Sequence, residues 1–122
     1  MVYWVTKGLG IKAANEELTP DEYGSIIIDV RDITDGKQMK DGQENFNALA
    51  EKLYAIKGIL ATRQRTIIQC QAGVSRSPSI VAAMLVYATS MDWEDVLDIV
   101  KKKCPRTQIN QDLLDQLKKV VP

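Results

Sequence analysis

The sequence predicts an α/β domain with a central, largely parallel sheet flanked by helices, and three observations predict it. Two short β-branched runs, Ser25–Val30 and Arg65–Cys70, read as strands. Helical patterns follow them, over residues 44–60 and 79–89. No internal repeat, low-complexity tract or linker interrupts the 122 residues, so a single domain over residues 1–122 is expected.

Each element has its own signal. Val2 to Val5 is short, apolar and aromatic, and reads as an edge strand. Asn15 to Pro20 is polar with a proline stop, a loop or short helix end. Ser25–Val30 runs Ser-Ile-Ile-Ile-Asp-Val and reads as a continuous β-branched run, the mark of a strand buried on both faces. Asp32 to Gly42 is rich in charged and turn residues and reads as a loop. From Glu44 to Leu60, Phe46, Leu49, Ala50, Leu53, Ile56 and Leu60 recur in steps of three and four, with Gly58 a weak stop. Ser79 to Thr89 is almost wholly apolar, so it reads as a core helix, with Pro78 suited to its first turn. Asp92 is placed to cap the next helix. Lys101, Lys102 and Lys103 favour its C-terminal end, and Pro105 stops it. Asn110 caps a last helix carrying Leu113, Leu114, Leu117, Val120 and Val121.

Composition narrows the function. Sixteen Lys and Arg balance sixteen Asp and Glu, which argues against a nucleic-acid binder relying on basic excess. The absence of histidine excludes Ser-His-Asp and Cys-His pairs and every His base or ligand. Cys70 and Cys104 are too few for a disulfide framework or a four-thiolate zinc site. No secretory leader or membrane-length apolar run is seen. A reduced, cytoplasmic setting without metal or cofactor is therefore the expectation.

The chemistry concentrates in one place. Cys70 ends a strand, Arg76 closes a short loop, and a helix starts at once. Consecutive amides in such a loop curl into an anion nest, and the helix N-terminus adds donors and a positive dipole end. Gly73 permits a positive φ and a close approach to a ligand. Arg76 offers a fork matched to two phosphate oxygens. The same field depresses a thiol from ~8.5 toward about 3.5–7.5, so a nucleophile is activated without an imidazole.

The run Cys70-Gln71-Ala72-Gly73-Val74-Ser75-Arg76-Ser77 resembles the signature loop of the cysteine-based protein tyrosine phosphatases. Extended from Gln69 through Leu85, and with Ser90–Lys101, Pro105-Arg106, Asn110 and Leu114–Leu117 downstream, it resembles the dual-specificity branch. Lys7–Ala14 and Ser25–Val30 bear a fainter likeness to that branch's opening.

The resemblance implies a two-step reaction on a phosphorylated protein or peptide, at phosphotyrosine and, where the cleft is shallow, phosphoserine or phosphothreonine. Cys70 would form a phosphocysteine. Arg76 and the amides of residues 71–76 would hold the phosphate, Ser77 would hydrogen-bond the sulfur, and an Asp would serve as general acid. No cofactor, nucleic acid or membrane is implied, and a monomer is expected. Asp35 and Asp32 are the candidates for the acid, with Asp41 third; polar-loop aspartates are more often plain turn formers. Two departures stand out. Gln69 occupies the position where the family usually has His, and the stretch from Val30 to Phe46 is short, which predicts an open cleft. Two other readings use the same residues: a phosphate reader with weak turnover, and a rhodanese-like sulfurtransferase or arsenate reductase suggested by Ile28–Asp32. Cys104, Trp93 and Ile80–Ala88 read as packing residues.

Overall fold

The computed structural model describes residues 1–33 and 43–122, with side chains described from residue 47 onward in the second stretch. Its elements are β1 (Tyr3–Thr6), β2 (Leu9–Ala13), a single 3₁₀ turn (Pro20–Glu22), β3 (Ile26–Asp29), α1 (Gln43–Leu60), β4 (Thr66–Cys70), α2 (Arg76–Thr89), α3 (Trp93–Lys103) and α4 (Gln111–Val120).

The sheet runs β1-β2-β4-β3. β2 and β3 flank β4 in parallel, and β1 adds to β2 antiparallel. The largely parallel sheet is thus as expected. β2 was not foreseen: Leu9–Ala13 is framed by Gly8 and interrupted by Gly10 and Lys12, which hid its strand character. β3 corrects a second expectation. It is an edge strand rather than one buried on both faces, and Ile27 is 43% exposed. Only Val30, just past its end, is fully covered within that run.

Register decides which face each residue serves. Leu9, Ile11 and Ala13 lie opposite Thr66, Ile68 and Cys70, so these six point to one side. Ile11, Ile68 and Cys70 join one core cluster with Leu53 and Ile56 of α1, Ile80 and Met84 of α2, Val96 and Val100 of α3, and Leu113 and Leu117 of α4. The helices therefore gather over that face. The opposite face carries Gly10, Lys12, Ile67, Gln69 and Asp29. There Trp4 lies so close over Gly10 that a Cβ would stand 3.0 Å from its ring. The indole N–H of Trp4 donates to Glu22 at 2.8 Å, and Arg65 stacks on its ring at 4.3 Å.

The helices follow their sequence signals with small changes. α2 begins at Arg76, so Pro78 sits in its first turn, where it displaces no helical hydrogen bond. Its far end departs from the all-core reading: Tyr87 is 41% exposed, and Ala88 is exposed too. α1 passes through Gly58 and stops two residues later, near Arg63 with its positive φ of 63°. Asn110 caps α4 by accepting from the Leu113 amide at 3.1 Å. Asp92 precedes α3 without a side-chain cap bond. Lys101, Lys102 and Lys103 fill the last turn of α3, which favours cations.

Because β3 and β4 run in the same direction, both leave the sheet at one edge. Asp29 is level with Gln69, and the Val30 amide donates to the Gln69 carbonyl at 2.8 Å. That edge is where α/β folds place ligands.

Candidate active site

Cys70 is the last residue of β4 and is 2% exposed. Its sulfur lies 3.2 Å from the Ser77 hydroxyl. Burial alone would push the thiol pKa up, yet it lies below the ordinary value. The Ser77 hydroxyl, the Ser77 and Gly73 amides and the Arg76 charge all favour the thiolate. Ser77 is itself fully buried, which fixes its hydroxyl beside the sulfur.

The loop is shaped from outside. The Gln71 carbonyl accepts from the Ala14 amide, the Gly73 carbonyl from Arg106 Nε, and the Val74 carbonyl from the Gln108 amide, at 3.2, 3.2 and 2.7 Å. In a planar trans peptide the N–H points opposite to the C=O. Drawing these three carbonyls outward therefore turns the amides of Ala72, Val74 and Ser75 inward. This is the nest that an oxyanion needs.

Gly73 has φ of 70°, and a Cβ there would stand 2.5 Å from Arg106 Nη2 and 3.1 Å from the Ala13 nitrogen. Both conformation and space thus require glycine. Ser75 precedes α2, and its hydroxyl accepts from the Asn110 amide at 2.9 Å, joining the loop to the α4 cap. Arg76 opens α2, and its Nη1 donates to the Arg31 carbonyl at 2.9 Å, tying the start of α2 to the segment just after β3.

Behind the loop stands a side-chain scaffold that the sequence did not mark as such. Arg106 bonds both Glu16 oxygens, at 2.6 and 3.2 Å, and lies 4.8 Å over the Tyr3 ring. Burial pushes the Glu16 carboxyl up, but Arg106, the Ala13 amide and the N-terminal ammonium hold it down at about 2. In front, Arg31 grips Asp29 at 2.6 Å and donates from Nη1 to the Gln71 side chain at 3.2 Å. The hydrogen bonds from Arg31 hold the exposed Asp29 carboxyl down at about 2. Arg106 was visible only as part of the Pro105-Arg106 resemblance, and Glu16 lay in a stretch that reads as plain polar loop.

The candidate acids are placed unevenly. Asp32 lies at the same sheet edge, next to the residue whose carbonyl holds Arg76. It is exposed and accepts from Lys52 Nζ at 2.6 Å. Asp35 and Asp41 lie outside the described residues. Among the described residues no group of three or more Cys, Asp or Glu is arranged to hold a metal ion. No described helix is long and apolar enough to cross a membrane. An apolar groove lined by Leu9, Leu60, Met84 and Leu85 opens at the other end of the parallel strands, away from the Cys70 loop.

Residues 8–121 match the family model for the dual specificity phosphatase catalytic domain. The chain belongs to that family. It is 31% identical over 102 residues, 84% of its length, to the MAP kinase phosphatase with leucine-rich repeats protein 2 of Dictyostelium discoideum, of which the match covers 14%. It spans less than a quarter of the length of the curated relatives it matches. Among solved structures it superposes on a leucine-rich repeat and phosphatase domain containing protein from Entamoeba histolytica. The TM-score is 0.74 at 17% identity, covering 98% of this chain and 89% of that one. The human tyrosine phosphatase-like serine/threonine/tyrosine-interacting protein has TM-score 0.72 at 14% identity, covering 97% and 93%. These superpositions establish the shared fold.

Proposed function

We propose that the chain hydrolyses phosphomonoesters on proteins, at phosphotyrosine and also at phosphoserine or phosphothreonine, through a phosphocysteine on Cys70. One observation carries this reading: a buried thiol whose pKa is depressed by Ser77 and loop amides, at the N-terminus of the helix that Arg76 opens. Membership of the dual specificity phosphatase family supports it.

In the first step the Cys70 thiolate attacks phosphorus. The S–P bond forms, the P–O bond to the leaving group breaks, and an aspartic acid gives its proton to the departing oxygen. The inward amides and the Arg76 fork carry the charge on the equatorial oxygens. In the second step water attacks phosphorus, its proton goes to the aspartate, and the thiolate leaves. A hydrogen bond from Ser77 stabilises that leaving thiolate. Asp35 or Asp32, from the segment after β3, supplies the acid. Neither step requires a metal or cofactor, and a phosphorylated protein or peptide is the partner.

The test is hydrolysis of an aryl phosphate by wild type and Cys70→Ser. The reading expects activity to fall to background in the variant, and equal rates would overturn it. Phosphopeptide binding without turnover from pH 5 to 8 would instead favour a phosphate reader.

A further inference from the structure

Lys12 is 4% exposed, and it sits on a strand whose other residues are apolar or glycine. Its ammonium donates to the Gln69 side-chain oxygen at 2.5 Å, the Ala13 carbonyl at 2.8 Å and the Ala14 carbonyl at 3.4 Å. Three acceptors around one nitrogen match the three N–H donors of a protonated lysine. A neutral amine has two donors and a lone pair, and would leave an acceptor facing that lone pair. The site is thus built for the charged form, although burial lowers the Lys12 pKa.

The surrounding charges leave that positive charge in place. Glu16, from the segment after β2, is engaged by Arg106. Asp29, at the end of β3, is engaged by Arg31. These are the carboxylates that face Lys12, and Arg31 faces it as a further cation. Among the described residues Lys12 forms no ion pair of its own. Cys70 in turn faces Arg76 from α2 and Arg31 from the end of β3.

Placement connects Lys12 to the nucleophile. Lys12 is level with Gln69 in the parallel ladder, and Ala13 is level with Cys70. The carbonyls it binds belong to the two residues backing the loop: the Ala14 amide holds the Gln71 carbonyl, and the Ala13 nitrogen stands 3.1 Å from where a Gly73 Cβ would go. Gln69 passes the contact on, since its Nε2 donates to Asp29 at 3.2 Å. A buried ammonium is therefore clasped by the residue before the thiol, across the sheet from it and at the same end of the strands. It lies beside Gln69, the position before the nucleophile, where an uncharged side chain stands.

We propose that Lys12 is a positioning residue for Cys70, its ammonium clasped by Gln69 so that a fixed buried charge stabilises the thiolate from behind the loop. The proposal rests on Cys70 being the nucleophile, but its test does not need turnover. Replacing a merely structural lysine by an apolar side chain of similar length would cost stability, by leaving its three acceptors unpaired, without moving the thiol's titration.

The experiment follows the pH dependence of Cys70 alkylation by iodoacetamide, a neutral reagent, in the full chain without substrate. Lys12→Met, Lys12→Arg and Gln69→Met are compared with wild type, and thermal melting reports folding. Lys12→Met is expected to move the alkylation midpoint up by roughly half to one pH unit. Lys12→Arg keeps the charge and is expected to restore much of the shift. Gln69→Met, which removes the clasping oxygen but not the charge, is expected to move it less in the same direction, and it serves as the probe if Lys12→Met does not fold. Midpoints unchanged in the folded variants would overturn the proposal, even with a lowered melting temperature. A shifted midpoint in a protein that hydrolyses no aryl phosphate would sink the phosphatase reading and leave the role of Lys12 standing.

Discussion

The two cysteines are both buried, and they differ in what converges on them. Cys104 ends α3 and is held through its backbone: its amide donates to Val100, and its carbonyl accepts from the Thr107 amide and hydroxyl. It is a member of the core cluster. Cys70 belongs to the same cluster, and each cysteine lies in the field of an arginine, Arg76 for Cys70 and Arg106 for Cys104, but the Cys70 sulfur also meets a hydroxyl and two amides. Burial by itself disfavours a thiolate, so it is the converging donors, and not depth, that favour one at Cys70.

Removing the charge that Arg76 brings should weaken this contrast most. Arg76→Ala is expected to lower kcat/KM for an aryl phosphate by about 10²–10³-fold, the usual scale for losing a transition-state donor. Steady-state rates at fixed pH check it. Gly73→Ala comes next. It forces a Cβ onto Arg106 and the Ala13 nitrogen at a positive φ, and is expected to cost about 1–3 kcal/mol and to distort the nest. Urea unfolding alongside the rates would show both losses.

Glu16→Gln tests the wall behind the loop. The folded Glu16 carboxyl lies at about 2, below its ordinary 4.5, so the native state binds that proton more weakly than the unfolded one. Its contribution is full above about pH 4.5 and is lost as pH falls toward 2. The variant is expected to lose on the order of 1–3 kcal/mol at pH 7, and to lose less further stability than wild type on going to pH 3. Denaturant titrations at the two pH values decide it. Cys104→Ala is the smallest change: stability falls by about 1 kcal/mol and kcat stays at the wild-type value. A large fall in kcat would mean the two thiols are not separate in function.

The sequence makes the Cys70 loop legible because its parts are contiguous: strand end, glycine, arginine and helix start lie within eight residues. The scaffold behind it is not legible in that way. Lys12 and Glu16 come from β2 and the segment just after it, Arg106 from far down the chain, and only the sheet register and the turn after α3 bring them to Ala13, Gln69 and Gly73. β2 was hidden for a related reason, since a buried lysine and a glycine under Trp4 break any apolar periodicity. An unbroken β-branched run also cannot distinguish a central strand from an edge strand, which is why β3 exposes Ile27. The acid is legible as a segment and not as a residue: Asp32 is seen beside Lys52, whereas Asp35 lies outside the described residues.

The most direct measurement is to trap the intermediate. Protein mixed with an aryl phosphate is quenched in acid within one turnover and digested, and the two cysteine peptides are compared by mass spectrometry. The account predicts a phosphoryl group on Cys70 and none on Cys104. Turnover that proceeds with no phosphoryl group on Cys70 at any quench time would contradict it.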